Sequence, residues 1–581
     1  MSLPVVFLGE WCRRYSRRDA WAGLGNMVVP DPWVKPSDAY SAYTCVREIY
    51  ERLLPSVARA LNGLHNTSWS NRYWRIVVGP WLQWFIGILY ERFSTIRAAL
   101  SYYPNLISMG VEDSSWVVPR DTLDFIALVH EDAYNLQLYT SLLRDQGVPL
   151  TFKSYEIHGK EVTPQSDGLS ERVRRLLRRL SSSPRLLGSR AKSVWIDSTY
   201  FSAAMQTRLL VKSCGAVMPT GMEKAPTRMP GEGASRSSLC IDAEAKDEFE
   251  ALLLRSIRDQ IPRCFVEDFA RVRDIAGHSY PPAPTAIFSA NSWFGKEPFK
   301  QWAAGSADCG TVLLGTQHGG NYGSIDPMPS EEHETAITDR YYSWGWEREK
   351  RRAVVIPMPA PKLAGRKLIG AGRNRRGILY VATASPRYQF AFPHAACSFG
   401  EYLEWQLRFF SHLGPESRDE TVVRLHIEDF GWDIKTRLQD RFPNLKFESW
   451  GLPFLKALSQ CRLYVCDHLS TTFVEALAAD VPSVLFWDPR WNRLRLEAEP
   501  YYAELHSAGI LFDTPEEAAD AIGSIHDVSQ WWNGQQVRTA RAMFCSRFAR
   551  RSTAPVRQWA AELEKVLNSA DSLRQAKMEK F

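Results

Sequence analysis

Two short stretches of this sequence combine hydroxyl, imidazole and carboxylate side chains at spacings that suit chemistry on a phosphorylated ligand. The first runs Asp467-His468-Leu469-Ser470-Thr471-Thr472-Phe473-Val474-Glu475, between an apolar strand pattern and a helical one. Thr472 and Glu475 have the spacing of a capping box, which predicts a helix opening here. Hydroxyls and unpaired backbone N–H groups at a helix N-terminus suit a phosphate or diphosphate. Glu475, one turn in, is placed to accept hydrogen bonds from a ribose. A capped helix with no ligand explains the same local pattern.

The second stretch is Gln317-His318-Gly319-Gly320-Asn321-Tyr322-Gly323, directly after a predicted strand. Paired Gly319 and Gly320 let the backbone approach a ligand closely, and His318 is suited to acid–base or phosphate work. Glu10 follows the first strand pattern, Pro4 to Leu8, and is expected on the same sheet rim. It is a general base or nucleophile there, or else a cap or salt-bridge partner. Glu131-Asp132 and Glu331-Glu332 are further acids or simply solvated. Arg387, Arg424 and His426 lie after strand patterns on the predicted edge that carries Ser470, where they would surround a diphosphate or carboxylate.

Other motifs fail. Gly370-Ala371-Gly372 lacks the third glycine of a dinucleotide fingerprint and precedes its strand. The chain has no phosphate-binding Gly-x-x-x-x-Gly-Lys-Ser/Thr loop, no Gly-x-Ser-x-Gly elbow and no Asp-x-Asp for a metal–nucleotide complex. His394 and Cys397 have ligand-like spacing, but no second pair completes a zinc site.

These residues need elements to hold them. Apolar strand patterns fall at 285–290, 311–315 and 341–344, then at 377–383, 421–425, 445–448, 462–466, 483–487 and 509–512. Helical patterns alternate with them, which predicts parallel sheets covered by helices. Earlier helices are expected over 42–61, interrupted at Pro55, and over 74–100. Thr514-Pro515-Glu516-Glu517 is a further helix start. Pro357-Met358-Pro359-Ala360-Pro361 can be neither helix nor central strand, so the interdomain linker is placed there. Two such units place the carboxyl ends of both sheets on a common cleft, where open α/β sheets bind ligands.

The 581 residues exceed one core, and 45% hydrophobic with 23% charged residues is ordinary for a folded protein. Disordered, collagen-like and heptad-rod classes are excluded. A net charge of +6 is too small to imply nucleic-acid binding. The 21 Trp and 22 Tyr suggest sugar-lining or interface rings as well as core. Ten cysteines without a Cys-x-x-Cys pair read as thiols of a reducing compartment. Neither a secretory signal nor a spanning segment is read from the sequence, so a cytoplasmic protein is expected. Over 162–192, Leu169, Val173, Leu176, Leu177 and Leu180 share a helical face opposite five arginines. Such a helix lies on an anionic membrane surface or packs on its own protein. Residues 215–238 read as a loop.

Gly9-Glu10-Trp11-Cys12, Arg72-Tyr73-Trp74-Arg75 with Gly79-Pro80-Trp81, Gln317-His318-Gly319-Gly320 and Trp344-Gly345-Trp346 resemble transferases encoded in O-antigen and surface-polysaccharide clusters. The resemblance runs from about residue 5 to about 525. The Ser-Thr-Thr-x-x-Glu step is similar to the donor half of GT-B glycosyltransferases, including enzymes that use CMP-activated Kdo and sialic acid.

This resemblance implies two Rossmann-like domains facing a central cleft. Residues 1–358 would form a helix-rich, acceptor-binding and catalytic domain, 367–530 the donor domain and 531–581 C-terminal helices. Glu10 and His318 would be catalytic. Ser470, Thr471, Thr472 and Glu475 would hold the nucleotide, aided by Arg387, Arg424 and His426. Gly319, Gly320, Glu131, Asp132 and Glu332 would serve the acceptor side. The implied partners are a nucleotide sugar, favoured as a CMP-linked ulosonic acid, and a glycan or lipid-linked glycan at the inner membrane. No metal or other cofactor is expected. A nucleotide-sugar 2-epimerase of the same architecture and a non-catalytic glycan-binding protein are the alternatives.

Overall fold

The computed structural model describes residues 4–155, 192–220, 235–349, 351–366, 368–372, 375–392 and 398–578. The basic segment expected to be helical (162–192) therefore lies almost wholly outside the described residues, as does most of the loop at 215–238.

Two six-stranded, wholly parallel sheets organise the chain. The first contains Val194–Asp197 (β5), Val217–Pro219 (β6), Ala286–Ser289 (β7), Val312–Thr316 (β8), Arg340–Ser343 (β9) and Val354–Pro357 (β10), in the order β10-β9-β8-β7-β5-β6. The second contains Ile378–Val381 (β11), Thr421–Arg424 (β12), Lys446–Phe447 (β13), Leu463–Cys466 (β14), Ser483–Phe486 (β15) and Leu511–Phe512 (β16), in the order β13-β12-β11-β14-β15-β16. The central strands are continuous apolar runs, as burial on both faces requires, and all four residues of β7, β11, β14 and β15 are buried. Helices between strands make the parallel crossovers, giving two Rossmann-like units. Pro357 is accommodated because β10 is an edge strand.

Two smaller parallel pairs precede these sheets: Val5–Phe7 (β1) with Asn26–Val28 (β2), and Ser108–Val111 (β3) with Leu150–Lys153 (β4). The strand before Glu10 therefore does not belong to the sheet that carries His318. Its apolar pattern was legible, but nothing local specifies which sheet a short strand joins.

A helical layer links the two units. The helix Pro36–His65 runs unbroken through Pro55. Its buried stripe, including Val46, Ile49, Leu53, Val57 and Leu61, offsets the hydrogen bond that proline removes. The next helices, Asn71–Val77 and Gly79–Tyr102, break at Gly79-Pro80, with proline in the first turn. This layer also grips the segment after β11. Arg92 donates to the Gln389 carbonyl at 2.6 Å, and the Trp33 and Phe392 rings meet at 5.0 Å.

At the end of the chain the helices divide. Trp532 and Phe544 pack in the core of the second unit. The helix Pro555–Met578 returns to the first, where Trp559, Leu563 and Val566 cover Val194, Phe288 and Tyr342. Among the described residues no helix is long and apolar enough to cross a membrane.

Candidate functional site

Ser470 caps the helix Thr471–Ala478, its hydroxyl accepting from the Thr472 N–H at 3.3 Å. The cap thus lies two residues before the Thr472 expected from the capping-box spacing, because Ser470 has the extended backbone that a cap requires. Thr472 instead shares a 2.8 Å hydrogen bond with the Ser470 hydroxyl. Glu475 is buried, and Lys362 and Arg366 hold its carboxylate at 2.5 and 2.8 Å. That double pairing competes with the ribose contact expected of Glu475.

Just before this turn, Asp467 is buried at the end of β14. Tyr380, Tyr402 and Gln406 donate to one of its carboxylate oxygens at 2.6, 2.8 and 2.9 Å. The other oxygen lies 2.8 Å from His468 Nδ1. Burial opposes charging of His468, but the adjoining Cys466 sulfur and Asp467 carboxylate overcome it and raise its pKa to about 10. The imidazole beside the hydroxyl turn is thereby biased toward its protonated form, paired with Asp467.

The glycine turn after β8 is pinned by Gln317. Its side-chain carbonyl accepts from Trp344 N–H and Trp346 Nε1, at 2.9 and 2.7 Å, while its amide donates to the Gly319 carbonyl at 2.7 Å. At Gly323, with φ 73°, an added Cβ would lie 2.3 Å from the Trp346 ring. His318 is half-buried, with Glu334 Oε1 3.4 Å from Nδ1, and Tyr322 bonds Glu334 at 2.9 Å. Burial, and then the charge of Lys362, lower the His318 pKa to about 4, so the imidazole is neutral at neutral pH.

These two turns meet. Gly320 N–H donates to Thr471 Oγ1 at 3.0 Å, and Asn321 donates to the Leu469 carbonyl at 3.1 Å. The residues at 470–472 stay half-buried at this junction.

On the same carboxyl edge of the second sheet, after β11, Arg387 bonds Asp132 at 2.5 Å and the Trp11 and Phe430 carbonyls at 3.0 Å. Burial raises the Asp132 carboxyl, but Arg387 and Tyr388 outweigh it and hold the group below its ordinary value. Glu131 and Asp132 open the helix Asp132–Asp145.

Arg424 is buried against Glu448 at 2.7 Å and under the Trp450 ring, so its charge is neutralised within its own domain. That pairing competes with its expected place around a ligand anion: a guanidinium so paired satisfies a buried carboxylate first. His426 is exposed. Glu10 lies in a short 3₁₀ turn with its side chain 66% exposed, 3.4 Å from Arg13. The Trp11 carbonyl ties this turn to Arg387, beside the end of β11, and not to the glycine turn.

Half-buried rings join the two ends of the site. His318 meets Phe294 at 6.2 Å, Phe294 meets Trp84 at 5.9 Å and Trp84 meets Phe390 at 5.3 Å. His130 then bridges Phe390 and Phe430 at 5.4 and 5.2 Å, and Phe430 meets His426 at 5.9 Å. Partly exposed ring faces of this kind suit saccharides.

Several site residues had no sequence signal strong enough to select them. Asp197, at the end of β5, accepts from Ser292 at 2.6 Å and Lys296 at 2.9 Å, and also from Thr220. The turn that follows holds Ser198 and Tyr200 at φ 45° and 61°, a backbone region non-glycine residues enter at a cost. It sets the Tyr200 ring parallel to His318 at 6.3 Å, with Lys362 5.8 Å from the Tyr200 ring centre. Among the described residues no group of three or more His, Cys, Asp or Glu side chains is arranged to hold a metal.

Fold and site together describe a two-lobed α/β enzyme of the GT-B arrangement, with both sheets contributing carboxyl-end turns to one junction. A family model described as LIC12162 family transferase matches residues 2–563, and the chain belongs to that family. No curated protein matches it in a sequence search.

Solved structures similar to it include an α,α-trehalose-phosphate synthase (UDP-forming) from Burkholderia vietnamiensis, at 10% identity over 65% of this chain and 100% of that one, TM-score 0.35. Anabaena Alr3699/HepE in complex with UDP and glucose is 11% identical over 64% and 99%, TM-score 0.36. The glycosyltransferase SnogD from Streptomyces nogalater is 14% identical over 66% and 99%, TM-score 0.30. Likeness at this level carries no argument, and the fold assignment stands on the two sheets.

Proposed function

We propose that this protein is a glycosyltransferase that moves a sugar from a nucleotide-activated donor to a surface-glycan acceptor. The observation that carries the proposal is the contact of the glycine turn of one unit with the hydroxyl turn of the other, at one end of a row of half-buried rings. The donor's phosphates lie at Ser470, Thr471 and Thr472, and the acceptor lies along the rings beside His318, Gly319 and Gly320.

As the sugar departs, positive charge grows on its anomeric carbon and negative charge on the leaving phosphate. The N-terminus of Thr471–Ala478, its hydroxyls and cationic His468 stabilise that phosphate. Neutral His318 accepts a proton or a hydrogen bond on the acceptor side. Glu10, exposed on the turn tied to Arg387, would have to be brought to the sugar by movement of that turn, and there it either deprotonates the acceptor hydroxyl or attacks first and gives retention.

A CMP-linked ulosonic acid remains the favoured donor on the resemblance. With Arg387 and Arg424 engaged by Asp132 and Glu448, exposed His426 is left to meet its carboxylate. The reading places the protein in the cytoplasm; contact with the inner membrane rests on the basic sequence pattern at 162–192 alone, which lies almost wholly outside the described residues.

The test is a panel of CMP-, UDP- and GDP-sugars, scored for nucleotide release with and without acceptor glycan. Acceptor-dependent release is expected. Acceptor-independent release of a rearranged sugar means an epimerase, and binding of no nucleotide overturns the enzyme reading. Glu10→Gln and His318→Ala should each abolish turnover with nucleotide affinity nearly intact, and wild-type rates would remove them from the mechanism.

A further inference from the structure

A cavity of about 640 Å³ opens between the helices Pro36–His65 and Pro329–Ile337, away from the turn at Ser470. Its volume is that of a small-molecule site. Four arginines line it, but they are not equivalent. Arg75 is held by both oxygens of Glu51, at 2.7 and 2.5 Å, and Arg52 pairs with Glu250. Arg47 and Arg351 only approach Glu332, at 3.7 and 3.9 Å, outside hydrogen-bond range, while Tyr43 donates to that carboxylate at 2.6 Å. Glu48 and Glu51 line the cavity as well. Burial, and then the charge of Arg348, push the Arg351 pKa down against the raising effect of Glu332 and Glu331, so neither carboxylate fully compensates this guanidinium.

A second observation concerns the wall. His333 lines the cavity, is only 4% exposed, and among the described residues neither of its ring nitrogens has a hydrogen-bond partner. A buried neutral imidazole offers one donor and one acceptor, and leaving both unused is costly. A hydroxyl-bearing ligand would satisfy them.

We propose that this cavity binds a sugar carrying an acidic group, a carboxylate or a phosphate, with Arg47 and Arg351 taking the oxyanion and His333 the hydroxyls. The proposal rests on the transferase reading in one respect: the occupant is an acidic unit of the acceptor glycan. The geometry favours that occupant, because the His333 ring lies 5.5 Å from Phe294, which in turn meets His318 at 6.2 Å. On the helix Gly79–Tyr102, Gln83 lines the cavity while its neighbour Trp84 belongs to the ring row. An acceptor chain lying along the rings would thus have one unit within reach of this cavity.

The test is calorimetric titration of the full-length protein with glucuronate, glucose 6-phosphate, glucose and inorganic phosphate. It is run on wild type and on the Arg47→Gln/Arg351→Gln double variant, with nucleotide binding measured on both. Glucuronate or glucose 6-phosphate should bind, and which of them does distinguishes carboxylate from phosphate. Glucose should not bind, and the double variant should lose at least tenfold in affinity for the acidic sugar with nucleotide affinity unchanged. The His333 ring resonances should shift on saturation. The proposal is overturned if neither acidic sugar binds to protein that still binds nucleotide, or if the double variant binds as tightly as wild type. Inorganic phosphate binding as tightly as glucose 6-phosphate would overturn the saccharide assignment. Acidic-sugar binding by a protein that binds no nucleotide would uphold the cavity and remove the donor-site reading instead.

Discussion

The backbone N–H of Gly320 and the hydroxyl of Thr471 are hydrogen-bonded at 3.0 Å across the junction of the two units. The approach is close because residue 320 has no side chain. A Cβ there would lie 2.5 Å from the Ser470 carbonyl oxygen and 2.8 Å from Thr471 Cα, both of them backbone atoms that cannot swing aside.

Gly320→Ala should therefore force the two turns apart. Overpacking of this kind costs roughly 1–3 kcal/mol. The expected result is a lower melting temperature together with at least a tenfold loss of acceptor-dependent nucleotide release. Gly305→Ala, where the nearest atom to an added Cβ is 4.0 Å away, is the control. Equal behaviour of the two variants would mean that the contact at Gly320 does not set the site.

Lys362 links the helix Thr471–Ala478 to the imidazole of the other unit. It pairs with Glu475 at 2.5 Å and lies over Tyr200, whose ring is parallel to that of His318. Burial is the larger cause of the low His318 pKa and Lys362 the second. In Lys362→Met the His318 titration, followed by NMR of its ring protons, should move up from about 4 yet stay below the ordinary 6.5. An unmoved midpoint would break the electrostatic link between the two turns.

Much of the scaffold could be read from sequence because buried parallel strands are short apolar runs bounded by turns, as at Leu463–Cys466 and Ser483–Phe486. Their proximity to Ser470 and His318 made those turns visible as well. Contacts made by distant residues left no local trace. The ring row takes its members from positions 84, 130, 294, 390 and 430, and the partners of Glu475 are Lys362 and Arg366. Asp467 and His468 could be read as residue types, but the donors that fix Asp467 come from Tyr380, Tyr402 and Gln406. Glu10 was assigned to the wrong sheet because periodicity identifies a strand without identifying its neighbours. Asp197 was missed because the residues that mark it, Thr220, Ser292 and Lys296, are distant in sequence.

Asp467→Asn tests whether that buried carboxylate keeps His468 charged. Removing one partner of a buried charge pair costs about 3 kcal/mol or more. The variant should be less stable, and the His468 pKa should fall from about 10 as the charge of Asp467 is lost. Nucleotide affinity should weaken with it, since a neutral imidazole no longer attracts phosphate. A variant that binds nucleotide as tightly as wild type would take His468 out of the donor site.

His333 gives a prediction about acid stability. Burial, reinforced by Arg75 and Lys300, lowers its pKa to about 3 from the ordinary 6.5. Between those values the unfolded chain binds a proton that the native protein excludes, so stability rises with pH across that window. The contribution is complete above pH 6.5, is lost as the pH falls toward 3, and is constant below that. At about 1.4 kcal/mol per pH unit, lowering the pH from 6.5 to 4.5 should cost on the order of 3 kcal/mol from this group. His333→Phe removes the titrating group while keeping a ring against Phe294. Carboxylate protonation is common to both proteins and cancels in the comparison, so the variant should lose less stability than wild type between pH 7 and 4.5. Parallel losses in the two proteins, followed by thermal unfolding, would show that His333 is not the buried neutral imidazole described above.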